Sequence, residues 1–489
     1  MNEQQQKALQ AIEENQDCFF EVSDKIWELA ELSLEEYGSA KVYEDLLPKL
    51  GFELETGLGG IPTAFAGRYG NGSPVIGILA EYDALSGLSQ KGGETSPKPL
   101  VPGGNGHGCG HNMLGAGALA AAYGIKSFLE ESGSPGTVIL FGCPGEEGVA
   151  SKAFLAKQGF WKKLDAALTW HPADVNEVSV GRCNSCLQVI YSFDGIASHA
   201  AGSPERGRSA LDAAELMNIG VQFLREHMPS DARIHYSFLN AGGPSPNVVQ
   251  PTADVLYMIR SCLVKDALAL EKRVDQIAKG AAMMTDTKVS KTFVDGCSTT
   301  VSNRALEAIG QKYLEEVPLP AYSEEEWAYA KKLKESCPVE KLPGIAAKYS
   351  PEAAAAVKVA SENGQKAIND FVAPLWTGDH FSAGSTDVGD VSWQAPMLQL
   401  HCASFAAGSP GHSWQNVSCG KTSIGHKGLL FAGKVLAAVG IHLLQNPEDL
   451  ATIQKEFASV GEYVCPIPDG AVARTLEQAL EKKENALTI

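Results

Sequence analysis

Three short apolar runs separated by helix-forming sequence most constrain how this 489-residue chain can fold. Val75-Ile76-Gly77-Ile78-Leu79-Ala80, Thr137-Val138-Ile139-Leu140-Phe141 and Ala166-Ala167-Leu168-Thr169 lack polar alternation, which is the pattern of strands buried on both faces. The alanine-rich stretch Leu114 to Phe128 lies between the first two and reads as a helix. Such strand–helix–strand alternation predicts an α/β fold, a mostly parallel sheet with helices on both faces. Ligands of these sheets gather at the carboxyl ends of the strands. Glu81 and Asp83 follow the first run, Glu146 and Glu147 the second, and His171 the third.

From about Asn184 the pattern changes. Leu187–Phe193, Arg233–Leu239, Asp254–Arg260 and Lys288–Phe293 read as strands, Ser209–Glu226 and Lys265–Met284 as helices. The order βαββαβ is that of a ferredoxin-like sandwich. A chain of this length exceeds one compact core, so the expected division is 1–183, an inserted domain at 184–298, and a return to the larger domain over 299–489. Pro318 to Pro374 is helical in composition and reads as an elaboration of the larger domain. Gly428 to Leu444, interrupted by Lys434, reads as a buried helix and not a membrane span.

A formal net charge of −18 argues against nucleic acid and anionic membranes as partners, since both need a basic surface. The eleven cysteines are an odd number, and Met1-Asn2-Glu3-Gln4-Gln5-Gln6 lacks the pattern of an export signal. Reduced thiols in a cytoplasm are the expectation. Cys183 and Cys186 form a C-x-x-C pair with no second pair at zinc-finger spacing, and read as a coincidence near a strand.

Four segments carry chemistry. In Gly106-His107-Gly108-Cys109-Gly110-His111-Asn112, an extended backbone would point His107, Cys109 and His111 to one side. Two imidazoles and a thiolate there would be a set of transition-metal ligands; a glycine-rich loop with solvated histidines is the plainer alternative. Gly142-Cys143-Pro144-Gly145-Glu146-Glu147-Gly148 puts two adjacent carboxylates in a turn. One could ligate a metal while the other acts as general base, although isolated turn glutamates are usually only solvated. Thr169-Trp170-His171-Pro172 and Gly408-Ser409-Pro410-Gly411-His412-Ser413-Trp414 each present one more histidine. Together they offer five ligands and a base.

With those motifs in that order, the chain resembles the metal-dependent amidohydrolases of the M20 peptidase family, in the branch of aminoacylases, hippurate hydrolases and auxin-conjugate hydrolases. A subtype within it is marked by Leu79-Ala80-Glu81-Tyr82-Asp83-Ala84-Leu85, by Gly104 to Asn112, by Ser385-Thr386-Asp387-Val388-Gly389-Asp390-Val391-Ser392-Trp393 and by Ala407 to Gln415.

The resemblance implies two divalent ions, Mn2+ or Zn2+, bridged by Cys109. His111 and His171 would complete one protein shell, Glu147 and His412 the other, with Glu146 as general base. Asp83 would support the ligands from behind; capping of the following turn is its plainer role. His107 is no ligand in that pattern. The inserted domain would be a lid and dimerisation domain, carrying His199 into the opposite subunit's site as oxyanion donor. Asn247 would contact substrate and Arg260 bind a substrate carboxylate.

Most of the branch has Asp-Met-Asp where this chain has Glu81-Tyr82-Asp83, so acyl specificity does not transfer. The implied reaction is cleavage of the amide of an N-acyl or N-aroyl amino acid, p-aminobenzoyl-glutamate being the best specific substrate. The alternatives are a dipeptidase or aminoacylase of other specificity, or a non-catalytic regulatory subunit. A homodimer is implied, or a heteromer with a related A-type subunit.

Overall fold

In the computed structural model, residues 1–337 and 342–481 are described, and they form eleven strands in two sheets. The larger sheet holds β1 (Glu53–Thr56), β2 (Phe65–Asn71), β3 (Val75–Ala80), β4 (Gly136–Gly142), β5 (Ala166–Ala173), β6 (Glu177–Ser179) and β11 (Met397–Ala403). The smaller holds β7 (Ser185–Asp194), β8 (Arg233–Asn240), β9 (Thr252–Ser261) and β10 (Lys288–Cys297).

The three apolar runs become β3, β4 and β5, mutually parallel, and β11 adds a fourth parallel strand. The strand order is β1-β2-β4-β3-β5-β11-β6. The expectation of a mostly parallel sheet is corrected here, because β1, β2 and β6 run antiparallel to their neighbours and the sheet is mixed. Only Gly72-Ser73-Pro74 separates β2 from β3, too short a link for the crossover a parallel strand would need. Gly67 and Gly70 also break the apolar pattern of β2.

Both faces of the parallel strands are covered. Ile76, Ile78, Val138, Leu140 and Leu168 pack in one core with the helices His111–Ser132 and Ser423–Gln445. Leu79, Phe141 and Ala167 pack with Ala153, Phe154 and Trp161 in another. The helix Ser423–Gln445 is long and apolar enough to cross a bilayer, but 83% of its apolar window is buried inside the protein, as expected of a core helix. Gly433 permits its close approach to the neighbouring helix, since a Cβ there would lie 2.8 Å from that of Ala120.

Along the chain the smaller sheet is built β-α-β-β-α-β, with strand order β10-β7-β9-β8, antiparallel throughout. The helices Ala210–Leu224 and Val264–Thr285 pack on it through Met217, Val221, Val274 and Ala278 against Val189, Tyr191, Val255 and Tyr257. Where the chain leaves β10, Ser298 donates from N and Oγ to Asp390, at 2.9 and 2.7 Å, and Thr299 Oγ1 donates to the Cys183 carbonyl at 2.6 Å. The stretch Pro318–Pro374 contains the helices Glu324–Glu335, Ala346–Tyr349 and Pro351–Ala360, with 338–341 outside the described residues.

Candidate active site

The segment Gly106–Asn112 does not form the extended run that residue alternation predicts. Gly110, at φ +80°, turns the backbone, and His111 opens the helix His111–Ser132. Any side chain at Gly110 would also press on Phe405 and Met113. The turn sends His107 into the core, where its Nε2 lies 3.0 Å from the Ile26 carbonyl oxygen. Burial, with the neighbouring His111, lowers its pKa to about 4.

Cys109 and His111 instead meet the residues at the strand ends. One donor atom each from Cys109, His111 and His171 lies within 4.8 Å of the others, and the same holds for Cys109, Glu147 and His412. Cys109 Sγ is 3.3 Å from His171 Nε2, and His412 Nε2 is 3.4 Å from Glu147 Oε1. The His412 backbone is left-handed, φ +54°, an unfavourable conformation for a non-glycine residue.

The rings of His111 and His171 are both oriented from outside the cluster. His111 Nδ1 donates to Asp83 Oδ1 at 2.9 Å, and His171 Nδ1 donates to the Pro172 carbonyl at 2.8 Å. Each thereby presents Nε2 to the cluster; burial and the neighbouring His111 lower the pKa of His171 to about 4, while burial of His111 is outweighed by Cys109, Asp83 and Glu81, which raise its pKa. Asp83 Oδ2 in turn accepts from Ser33 Oγ at 2.8 Å and from Glu147 N at 2.9 Å, joining the end of β3 to the glutamate turn. Burial opposes ionisation of Asp83, but His111 and these donors outweigh it and bring its pKa down to about 2.

The adjacent glutamates are electrostatically unlike. Burial, then the charges of Glu81 and Glu147, push the pKa of Glu146 well above the carboxylate range. Burial acts on Glu147 too, but His412 and His111 overcome it and lower its pKa. Burial also raises the Cys109 thiol.

The cluster lines a cleft of about 490 Å³, with Cys109, Glu146, Glu147, His171, His401 and His412 on its wall. It suits cations for two reasons. His111 Nε2 and Glu147 Oε1 are buried without an aligned hydrogen-bond partner among the described residues. Glu81, Asp83, Glu146, Glu147 and Asp387 also crowd together around Lys152 and the His111 ring, whose pKa is raised by them and by Cys109, and carboxyl groups gathered in the interior favour a bound counter-charge.

His199 and Asn247 lie outside this cleft. Both are exposed, side by side in the smaller sheet's loops, where Ala200 N donates to the Asn247 carbonyl at 2.9 Å and His199 bridges to Val248. Arg260 hydrogen-bonds through Nη1 to Ser385, which lines the cleft. Cys186 pairs in register with Cys297, across β7 and β10. Sequence reasoning placed Glu81 at a strand end but gave it no partner. Lys152 and Asp387, 235 residues apart, carry no spacing signal. The Glu177–His401 contact, 3.3 Å, was equally invisible because β6 and β11 were not legible as strands.

A mixed α/β sheet whose strand ends gather thiol, imidazole and carboxylate donors defines a class of hydrolase fold that comparison makes specific. The chain belongs to the peptidase family M20/M25/M40, whose model matches residues 77–486. Among its relatives is the B subunit of the p-aminobenzoyl-glutamate hydrolase of Escherichia coli (strain K12), 42% identical over 471 residues, covering 96% of this chain and 98% of that protein. The Xaa-Arg dipeptidase of Mus musculus is 25% identical, covering 92% of this chain and 91% of that protein. The crystal structure of a putative aminohydrolase from methicillin-resistant Staphylococcus aureus shares the fold, with TM-score 0.61 at 16% identity over 91% of this chain and all (100%) of that one.

Proposed function

We propose that the chain is a dinuclear metal-dependent amidohydrolase that cleaves N-acyl or N-aroyl amino acids, with p-aminobenzoyl-glutamate the substrate that fits its relatives best. The observation that carries this reading is the pair of three-donor groups that share Cys109. His111 and His171 would hold one ion with it, Glu147 and His412 the other. Thiolate and imidazole donors suit Zn2+, and mixed N/O/S sets accept Mn2+. Bound ions would supply Lewis acidity, polarising the scissile carbonyl and acidifying water.

The protein's own groups do the rest. Glu146, outside the two donor groups that share Cys109, takes the proton from the attacking water and delivers it to the departing amine nitrogen. Asp83 keeps the His111 ring in place. Arg260 and Asn247 would contact the substrate, the guanidinium through a carboxylate.

Residues 184–298 act as a lid and dimerisation domain. β8 is an edge strand with Tyr236 and Phe238 exposed, and Ile219 and Phe223 are exposed on the helix Ala210–Leu224. An unpaired edge with exposed apolar residues suits pairing with a second copy. That pairing would bring His199 to the neighbour's carbonyl oxygen, in keeping with its exposed place outside the cleft of its own chain. The Escherichia coli relative is by name one of two subunit types of its hydrolase, which makes a heteromer with an A-type chain the second assembly to test. The cytoplasm is the compartment that suits an enzyme with so many reduced thiols.

The test is a panel of N-aroyl and N-acyl amino acids and dipeptides, assayed with the metal-loaded protein alone and read as released amine. Turnover of p-aminobenzoyl-glutamate above the other substrates is expected. Absence of turnover on every amide, with both ions bound, overturns the reading.

A further inference from the structure

Behind the cleft lies a group of charges that the proposed reaction does not use. Glu81 follows β3 and is 3% exposed; Lys152, in the helix Ser151–Lys157, is fully buried; and Asp387 is 1% exposed. Lys152 Nζ sits 2.7 Å from Glu81 Oε1 and 2.6 Å from Asp387 Oδ1, and its backbone N donates to Asp387 Oδ2 at 2.9 Å. One ammonium thus serves two carboxylates, and the trio is left with a net negative charge in the interior.

The remaining oxygen of Glu81 identifies where that charge is directed. Oε2 lies 3.3 Å from His111 Nε2, the nitrogen facing the metal cluster. The two atoms are not joined by an aligned hydrogen bond, Nε2 being without one among the described residues while Nδ1 donates to Asp83. An imidazole nitrogen and a carboxylate oxygen set side by side at that spacing, each able to offer an electron pair once a cation displaces the proton, have the arrangement of neighbouring ligands on one ion. Glu81, His111 and Glu146 offer three donor atoms within 4.8 Å of one another.

We infer that Glu81 is a further protein ligand of the ion held by Cys109, His111 and His171, and that Lys152 and Asp387 are positioning residues that lock its carboxylate in place. Three of the four donors of this ion are then held from behind: His111 by Asp83, His171 by the Pro172 carbonyl, Glu81 by Lys152. The Glu81 side chain reaches from the end of β3 to Lys152 Nζ through one oxygen and to within 3.3 Å of His111 Nε2 through the other. With Cys109 and Glu147 ionised, Glu81 would leave the two dications less positive by one charge while still electrophilic.

The inference rests on the proposed dinuclear reading, so the test reads metal binding and not turnover. Apo-protein prepared with a chelator is titrated with Mn2+, free ion being followed by electron paramagnetic resonance. Wild type should bind two ions. Glu81→Gln should weaken one binding step by ~10-fold or more and spare the other. The charge-balanced pair Lys152→Met with Asp387→Asn should weaken the same step. Should Glu81→Gln fail to fold, Glu81→Asp, which keeps the charge but withdraws the oxygen, replaces it and should weaken that step too. Two wild-type binding constants in a folded Glu81 variant overturn the inference and leave the proposed reaction standing. Two ions bound with no amide hydrolysed does the reverse, and a wild type that binds no ion overturns both.

Discussion

The carboxylate of Asp83 accepts a hydrogen bond from His111 Nδ1 at 2.9 Å, and in doing so it decides which nitrogen of that ring faces the cleft. A histidine without such a partner samples both tautomers and more than one ring orientation. Asp83→Asn leaves the shape unchanged but offers an amide that is neutral and can donate where an acceptor is needed. The variant should bind Mn2+ or Zn2+ ~10–100-fold more weakly at one site. Ser33→Ala removes only the hydroxyl on the other Asp83 oxygen and should change affinity by less. Metal titration of the two variants checks the order, and equal, wild-type affinities would count against Asp83 as an orienting group.

Glu146 and Glu147 are adjacent in sequence and opposite in electrostatic character. Glu146→Gln should keep both ions and lower kcat by ~10² or more. Glu147→Gln should lose metal from the Cys109–His412 side. Elemental analysis beside steady-state kinetics separates the roles; metal loss in Glu146→Gln alone would mean that they are exchanged.

His199 is exposed and lies outside its own chain's cleft, so its proposed role requires a neighbour. His199→Ala and Glu146→Gln should each be nearly inactive as separate preparations, since one oxyanion donor in a water-excluded site is worth ~3 kcal/mol. Mixing the two under conditions of subunit exchange should recover activity, because one site of each hybrid has both groups intact. Exchange demonstrated by mass spectrometry with no recovery would place His199 outside the reaction.

Asp295, in β10, is buried, accepts a hydrogen bond from Gln188 Nε2 at 2.7 Å, and has its pKa pushed up to about 7 by burial. In the unfolded chain the same carboxyl ionises near ~3.9. Between those two values the folded state binds more protons than the unfolded one, so stability falls as pH rises through the interval and levels off above it. Asp295→Asn should abolish that part of the slope and stabilise the protein at pH 8 by up to ~4 kcal/mol. Thermal melts at pH 4, 6 and 8 test this: the gain should grow with pH, and a constant difference would mean that Asp295 is not the titrating group.

Much of the architecture was legible because its signals are local. The runs that became β3, β4 and β5 are continuous and apolar, the pattern that burial on both faces imposes. The strands and helices of the smaller sheet have their own periodicity and appear in chain order. Strand ends could be located from those runs, and with them Asp83, Glu146, Glu147 and His171. The mixed direction of the larger sheet was not legible, because β1, β2 and β6 are short or glycine-broken and their pairing depends on strands far away in sequence.

The sequence by itself determined which donor types are present and at which strand ends and turns they stand, since residue identity and local periodicity are enough for that. Which way each side chain points was decided by the tertiary structure. The turn at Gly110 sent His107 into the core and His111 onto a helix, against the alternation of an extended segment. Packing brought Lys152 to Glu81 and Asp387, three residues that no spacing connects. The same packing left His199 and Asn247 exposed beside one another, away from the cleft. These outcomes depend on contacts between distant segments, whose energies come from burial and charge neutralisation in the folded interior and are not encoded in any short stretch of chain.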